Sequence, residues 1–174
     1  MYVWGVVFTF LLGLLFWAYR DKATRYRFYA HPDAVIRARQ AYERAGSESG
    51  GLPDPLTGVD DPSLAAAILM VGFVRLGGGM TEADSEEMTR LLTAVAQLGS
   101  AEDHLDYARF VNDAERDVCI LIDGMAEMLR DTLTYRERHE LMEMVKRICS
   151  HRSMTTSAQT DALQTLRHGL GLLD

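Results

Sequence analysis

The residues whose types and spacing could do chemistry fall short of any complete catalytic set. His139-Glu140 opens like the H-E-x-x-H helix of a zinc protease, in which two imidazoles one turn apart face the metal. The position four after His139 is Glu143, so the second imidazole is missing, and His139 with Glu143 is expected as an exposed i,i+4 pair. Gly77-Gly78-Gly79 has no following Lys and no preceding strand, as a phosphate-cradling loop requires, and reads instead as a helix stop. No Ser or Cys stands in a G-x-S-x-G elbow, and the five histidines are scattered. His104, between Asp103 and Leu105, has the type of a general base but is expected as a solvated interhelical side chain. Cys119 and Cys149 lie 30 positions apart without a C-x-x-C, which excludes a disulfide scaffold or zinc knuckle and leaves two reduced, buried thiols. No two carboxylates stand out as an acid/base pair. The expectation is a non-enzyme with no cofactor, no catalytic residue, no metal site and no identified small-molecule substrate.

The elements that carry these residues begin with an apolar segment. Met1 to Tyr19 has no charged side chain, and as a helix rising ~1.5 Å per residue it reaches about 28 Å, near the ~30 Å hydrocarbon core. Tyr2 and Trp4 at one end and Trp17 and Tyr19 at the other suit the two headgroup regions. A cleaved signal peptide needs a basic n-region, a short apolar core and a small-x-small site, none of which is present. Arg20, Lys22, Arg25 and Arg27, followed by Arg37, Arg39 and Arg44, set seven cations against Asp21, Asp33 and Glu43, a local charge of +4. That flank belongs in the cytoplasm, so the expectation is a single-pass protein of a bacterial inner membrane with its N-terminus outside, its collar resting on anionic lipid. Gly5, Thr9 and Gly13 form a four-residue stripe where another helix backbone could approach.

The whole chain has 18 Lys+Arg against 25 Asp+Glu, net -7, which argues against a nucleic-acid partner. His31 to Ala45 reads as a short basic helix opened by Pro32, and Gly46 to Pro62 as a linker. The domains are therefore placed at 1–29 (membrane helix and collar), 30–45 (basic helix), 46–61 (linker) and 62–174 (a cytoplasmic helical domain). From Asp61 onward the apolar period is helical, with no Pro after Pro62, so the fold class is all-α, a bundle of six to seven helices. The spacing predicts helices over Pro62–Leu76 (apolar all round and so central), Glu82–Leu98 (Thr81 as cap), Ala101–Val111 (Ser100 as cap), Ala114–Arg130 (Asp113 as cap), Tyr135–Cys149 and Thr156–His168.

Laying Met80 on Met154 also aligns Thr81 with Thr155, Val71 with Val145 and Leu92 with Leu166, a weak internal two-fold repeat of helical pairs. With Leu133-Thr134-Tyr135-Arg136-Glu137-Arg138 ahead of the fifth helix, the stretch 60–170 resembles the TerB-like domain of bacterial tellurite-resistance proteins and of membrane-anchored DnaJ-like co-chaperones. The resemblance implies a helical domain whose acidic Ala-Asp-Gly loops bind cations. Here Gly77 and His151 replace the aspartates and Arg152 a glycine, leaving Glu82, Asp84, Glu86 and Glu87 as a surface cluster that helix-dipole preference alone explains. His31-Pro32-Asp33 matches the tripeptide of a J domain but is expected to open a helix, so Hsp70 stimulation is not expected. Eight of nine methionines lie in the helical domain, and Met125 and Met128 share a face that could be core or a partner groove. The function expected is a membrane-anchored, non-catalytic adaptor binding membrane or cytoplasmic proteins; the alternative is a small accessory subunit of a larger inner-membrane complex.

Overall fold

In the computed structural model, residues 31–96, 101–151 and 154–172 are described. They form seven helices, and no strand occurs among them: α1 Ala34–Ser49, α2 Pro62–Leu76, α3 Glu82–Ala96, α4 Ala101–Ala114, α5 Val118–Thr132, α6 Tyr135–His151 and α7 Ser157–Gly169. Their organiser is α2, in which every residue from Pro62 to Val74 is buried. A helix apolar on all sides cannot lie on a surface, and α3 to α7 pack around it. Leu64, Ile68, Leu69, Met70 and Phe73 have no exposed surface. Each such side chain contributes about 1.5–3 kcal/mol relative to exposure.

Both ends of α2 are set by its sequence. Asp61 in extended backbone accepts from Ser63 N (2.9 Å) and Leu64 N (3.2 Å), with Pro62 in the first turn where its missing N–H costs nothing. At the other end Gly78 and Gly79 take φ of 107° and 101°, which an L side chain adopts only with strain, so the triple glycine is a helix stop as expected. The second loop returns to this end. Thr156 and Gln159 form the capping box of α7, while Gln159 Nε2 donates to Phe73 O (2.8 Å) and Thr156 Oγ1 to Leu76 O (3.4 Å). Carbonyls that α2 leaves open are thereby satisfied by another helix.

Several boundaries differ from those the sequence predicts. Helix α1 runs to Ser49 rather than Ala45, and its Ala34, Val35 and Ala38 are buried. The stretch 46–61 is partly packed: Leu56 and Val59 rest on the core, Arg37 pairs with Asp60 (3.2 Å), and a Cβ on Gly124 of α5 would come 2.5 Å from Leu56 Cδ1. Low periodicity concealed these contacts because they come from single side chains. Asp113 does not cap α5. It lies inside α4, and Asp117 performs the capping by accepting from Cys119 N (2.9 Å), after a turn in which Glu115 accepts from Asp117 N (2.7 Å). Ser100 and the end predicted at Leu98 lie outside the described residues.

Candidate functional site

Where the chain enters the described fold, three polar side chains are buried together. Asp61, Ser63 and His104 are 1%, 1% and 2% exposed. Asp61 Oδ2 accepts the backbone N–H of His31 (2.9 Å), Asp61 Oδ1 accepts the Ser63 hydroxyl, and Ser63 Oγ lies 3.3 Å from His104 Nε2. The cluster ties the start of α1 to the first turns of α2 and α4. His104 is thus not the solvated side chain that the sequence suggested. It is also no general base, since it has no surface at which to meet a substrate. Its buried place follows from its neighbours, because Leu105 and Ala108 on the same side of α4 face the core.

Farther along α4 the same anchoring continues. Asn112, 1% exposed, donates from Nδ2 to Ile68 O (3.0 Å) and Ala108 O (2.9 Å), and Arg75 donates to Asn112 O and Asp113 Oδ1. With α4 fixed on α2, the position of α1 defines a cleft between α1 and α4. It has a volume of about 320 Å³ and is lined by Arg39, Tyr42, Glu43, Tyr107 and Phe110. That volume is at the small end of the roughly 300–1,000 Å³ of ligand sites. Tyr42 meets Phe110 edge-on at 5.2 Å, and Phe110 leans on Tyr107 at 5.7 Å. Phe110 is 41% exposed, and Ile36, one turn before Arg39 on the same row of α1, is 55% exposed. Tyr107 is 1% exposed and its hydroxyl has no hydrogen-bond partner among the described residues. Burial pushes its phenol pKa up, against the pull of the Arg39 guanidinium.

The residues singled out from the sequence fall elsewhere. Met125 is buried (1%) and Met128 is half-buried against the core, so this pair fills space and does not line a groove. Asp84 is 1% exposed, and its Oδ2 accepts from Thr81 N (2.8 Å) and Thr81 Oγ1 (2.6 Å), which makes it a capping partner and not part of a surface cluster. Glu87 bridges Arg90 of its own helix and Arg147 of α6 (2.8 Å), and these cations hold its carboxyl below the ordinary range. Among the described residues no group of three His, Cys, Asp or Glu is placed to hold a metal ion. His139 packs edge-on against Tyr135 (4.7 Å) while Glu143 pairs with Lys146 (2.8 Å), in place of the expected His139–Glu143 pair. Cys149 is a buried thiol, as expected, with its pKa pushed up to about 11 by burial; Cys119 is exposed, contrary to expectation. His31-Pro32-Asp33 does lead into a helix, although Asp33 makes no side-chain cap.

Tyr2, Trp4, Gly5, Thr9, Gly13, Trp17, Tyr19, Arg20, Lys22, Arg25 and Arg27 lie outside the described residues, and with them the proposed membrane span. Among the described residues no helix is long and apolar enough to cross a membrane. Asp61, Tyr107, Asn112 and Gln159 were not singled out from the sequence. Two had readable signals, Asp61-Pro62 as cap and first turn and Thr156-x-x-Gln159 as a capping box; Tyr107 and Asn112 had none. No family model matches the chain, and neither a curated protein nor a solved structure matches it.

Proposed function

We propose that the chain is a non-catalytic interaction module, tethered to a bacterial inner membrane by residues 1–19 with its helical part in the cytoplasm, which engages a protein partner through the cleft between α1 and α4. The observation that carries this reading is the cleft itself: Tyr42, Phe110 and Ile36 present apolar surface between Arg39 and Glu43 on a face that the other described residues leave open. Aromatic side chains with an arginine among them are the composition of interface centres. The tether reading rests on residues 1–19 themselves, which carry no charged side chain.

Detergent extraction followed by native electrophoresis tests it. The parent chain is expected in the membrane fraction and to co-migrate with a partner; Ile36→Glu with Phe110→Ser is expected to stay in the membrane, remain folded and migrate alone. Co-migration unchanged in that variant contradicts the role of the cleft. Migration of all the chain with one abundant complex, also unchanged in the variant, favours the accessory-subunit reading.

A further inference from the structure

The α1/α4 cleft holds two groups whose chemistry is incomplete. Tyr107 has a buried hydroxyl with no partner among the described residues, and a buried polar group left without a hydrogen bond is costly enough that such groups are rare. Arg39 stands over the same cleft, and no ion pair ties it among the described residues. Tyr107 and Arg39 line the same cleft. A phenol donor beside a guanidinium is complementary to a carboxylate. Around this polar end the walls are the rings of Tyr42 and Phe110, and Glu43 at the rim is an acceptor for one N–H. Phe110, whose ring leans on that of Tyr107 at 5.7 Å, is 41% exposed.

We propose that this cleft takes the C-terminal residue of a partner polypeptide: a large aromatic or aliphatic side chain between Tyr42 and Phe110, its α-carboxylate on Arg39 and the Tyr107 hydroxyl, and its amide N–H on Glu43. The inference rests on the docking role proposed above and specifies what docks. A terminal residue is the one part of a polypeptide that joins apolar bulk and a carboxylate on a single unit small enough for about 320 Å³. Asp or Glu side chains bring the charge without the bulk, and internal apolar residues bring the bulk without the charge. Both would leave part of this lining unmatched.

The test titrates the full chain in detergent micelles with acetyl-Gly-Gly-Phe as the free acid, followed calorimetrically, against the same peptide as its amide, acetyl-Gly-Gly-Ser acid, and phenylacetate. The free acid is expected to bind about ten-fold or more tightly than the amide, because charge-assisted hydrogen bonds are the strong ones. Arg39→Gln should bring it to the level of the amide. Tyr107→Phe should weaken the acid about ten-fold, leave the amide unchanged and not lower the melting temperature, since it removes a hydroxyl that no described residue pairs. The Ser peptide should bind far more weakly. Equal affinity of acid and amide, phenylacetate as tight as the peptide, or no binding of the acid at about 10 mM overturns the inference. If the peptide fails while Ile36→Glu with Phe110→Ser still abolishes co-migration, the carboxylate inference falls and the docking role stands. If the peptide binds while that variant co-migrates normally, the docking role falls.

Discussion

Replacing Asp61 separates two jobs of one carboxylate. Asp61→Ala removes the cap on Ser63 N and Leu64 N, leaves the part-buried His31 N–H without its acceptor, and takes from the buried Ser63 hydroxyl its nearer one, with only His104 Nε2 at 3.3 Å remaining. Loss of a cap costs about 1 kcal/mol, and each buried donor left unpaired costs about 1–3 kcal/mol. The expected total is about 3 kcal/mol, taking the lower value for each donor, or a melting temperature lower by about 6–12 °C for a chain of this size. Asp61→Asn keeps an oxygen for the cap but turns an NH2 toward His31 N–H, so it should lose only the tie to the entering chain, about 1–2 kcal/mol. The assay is thermal and urea unfolding of the full chain in detergent, combined with limited proteolysis over residues 31–60. Both variants should be nicked there faster than the parent, because the same carboxylate holds α1 in place. An Asp61→Ala change of less than about 2 °C, or an Asn variant as unstable as the Ala variant, refutes the reasoning.

Three further outcomes follow from other buried groups. Gln159→Ala strips the capping box of α7 and leaves Phe73 O without its donor, so it should cost about 2 kcal/mol in urea unfolding, whereas Gln164→Ala on the exposed face of α7 should cost little. Cys149 keeps its proton in the folded state until about pH 11, whereas an exposed thiol releases it near 9; the unfolded state therefore binds fewer protons in that window, and stability should fall as pH rises from 9 to 11, by up to about 1 kcal/mol per pH unit. Cys149→Ala should show a shallower fall, and in the parent a maleimide should label the exposed Cys119 without denaturant and Cys149 only with it. For Glu87 the folded pKa is lowered, so its contribution is present above the ordinary carboxylate range and is lost as pH falls through the lowered value; Glu87→Gln should cost about 0.5–1 kcal/mol at neutral pH, with the difference from the parent closing in acid.

The helical period carried the main features of this fold because they rest on local regularities. Pro62–Leu76 is apolar on every side and flanked by Asp61-Pro62 and Gly77-Gly78-Gly79, so its extent and its central place were both readable. Asp113 and Asp117 are equally good caps by type, and only the tertiary tie of Arg75 to Asn112 and Asp113 keeps α4 running past the first of them. The packing of Leu56 on Gly124 and of Ala38 in the core joins residues far apart in sequence, which no window of 10 to 18 residues can register. The cleft was illegible for the same reason: Arg39 and Tyr42 are ordinary members of a basic helix until α4 brings Tyr107 and Phe110 against them. The methionines left core and groove both open, because thioethers suit either, and Met125 is in the core.

The central claim, that the cleft between α1 and α4 is where a partner docks, is tested most directly by a photoreactive benzophenone side chain placed at Ile36, beside the cleft, or at Leu52, which is 95% exposed outside its lining. In intact membranes the probe at position 36 is expected to give one discrete adduct, suppressed by Phe110→Ser, while the probe at position 52 gives none. Equal adducts from both positions, or an adduct at position 36 that Phe110→Ser leaves unchanged, would contradict the account.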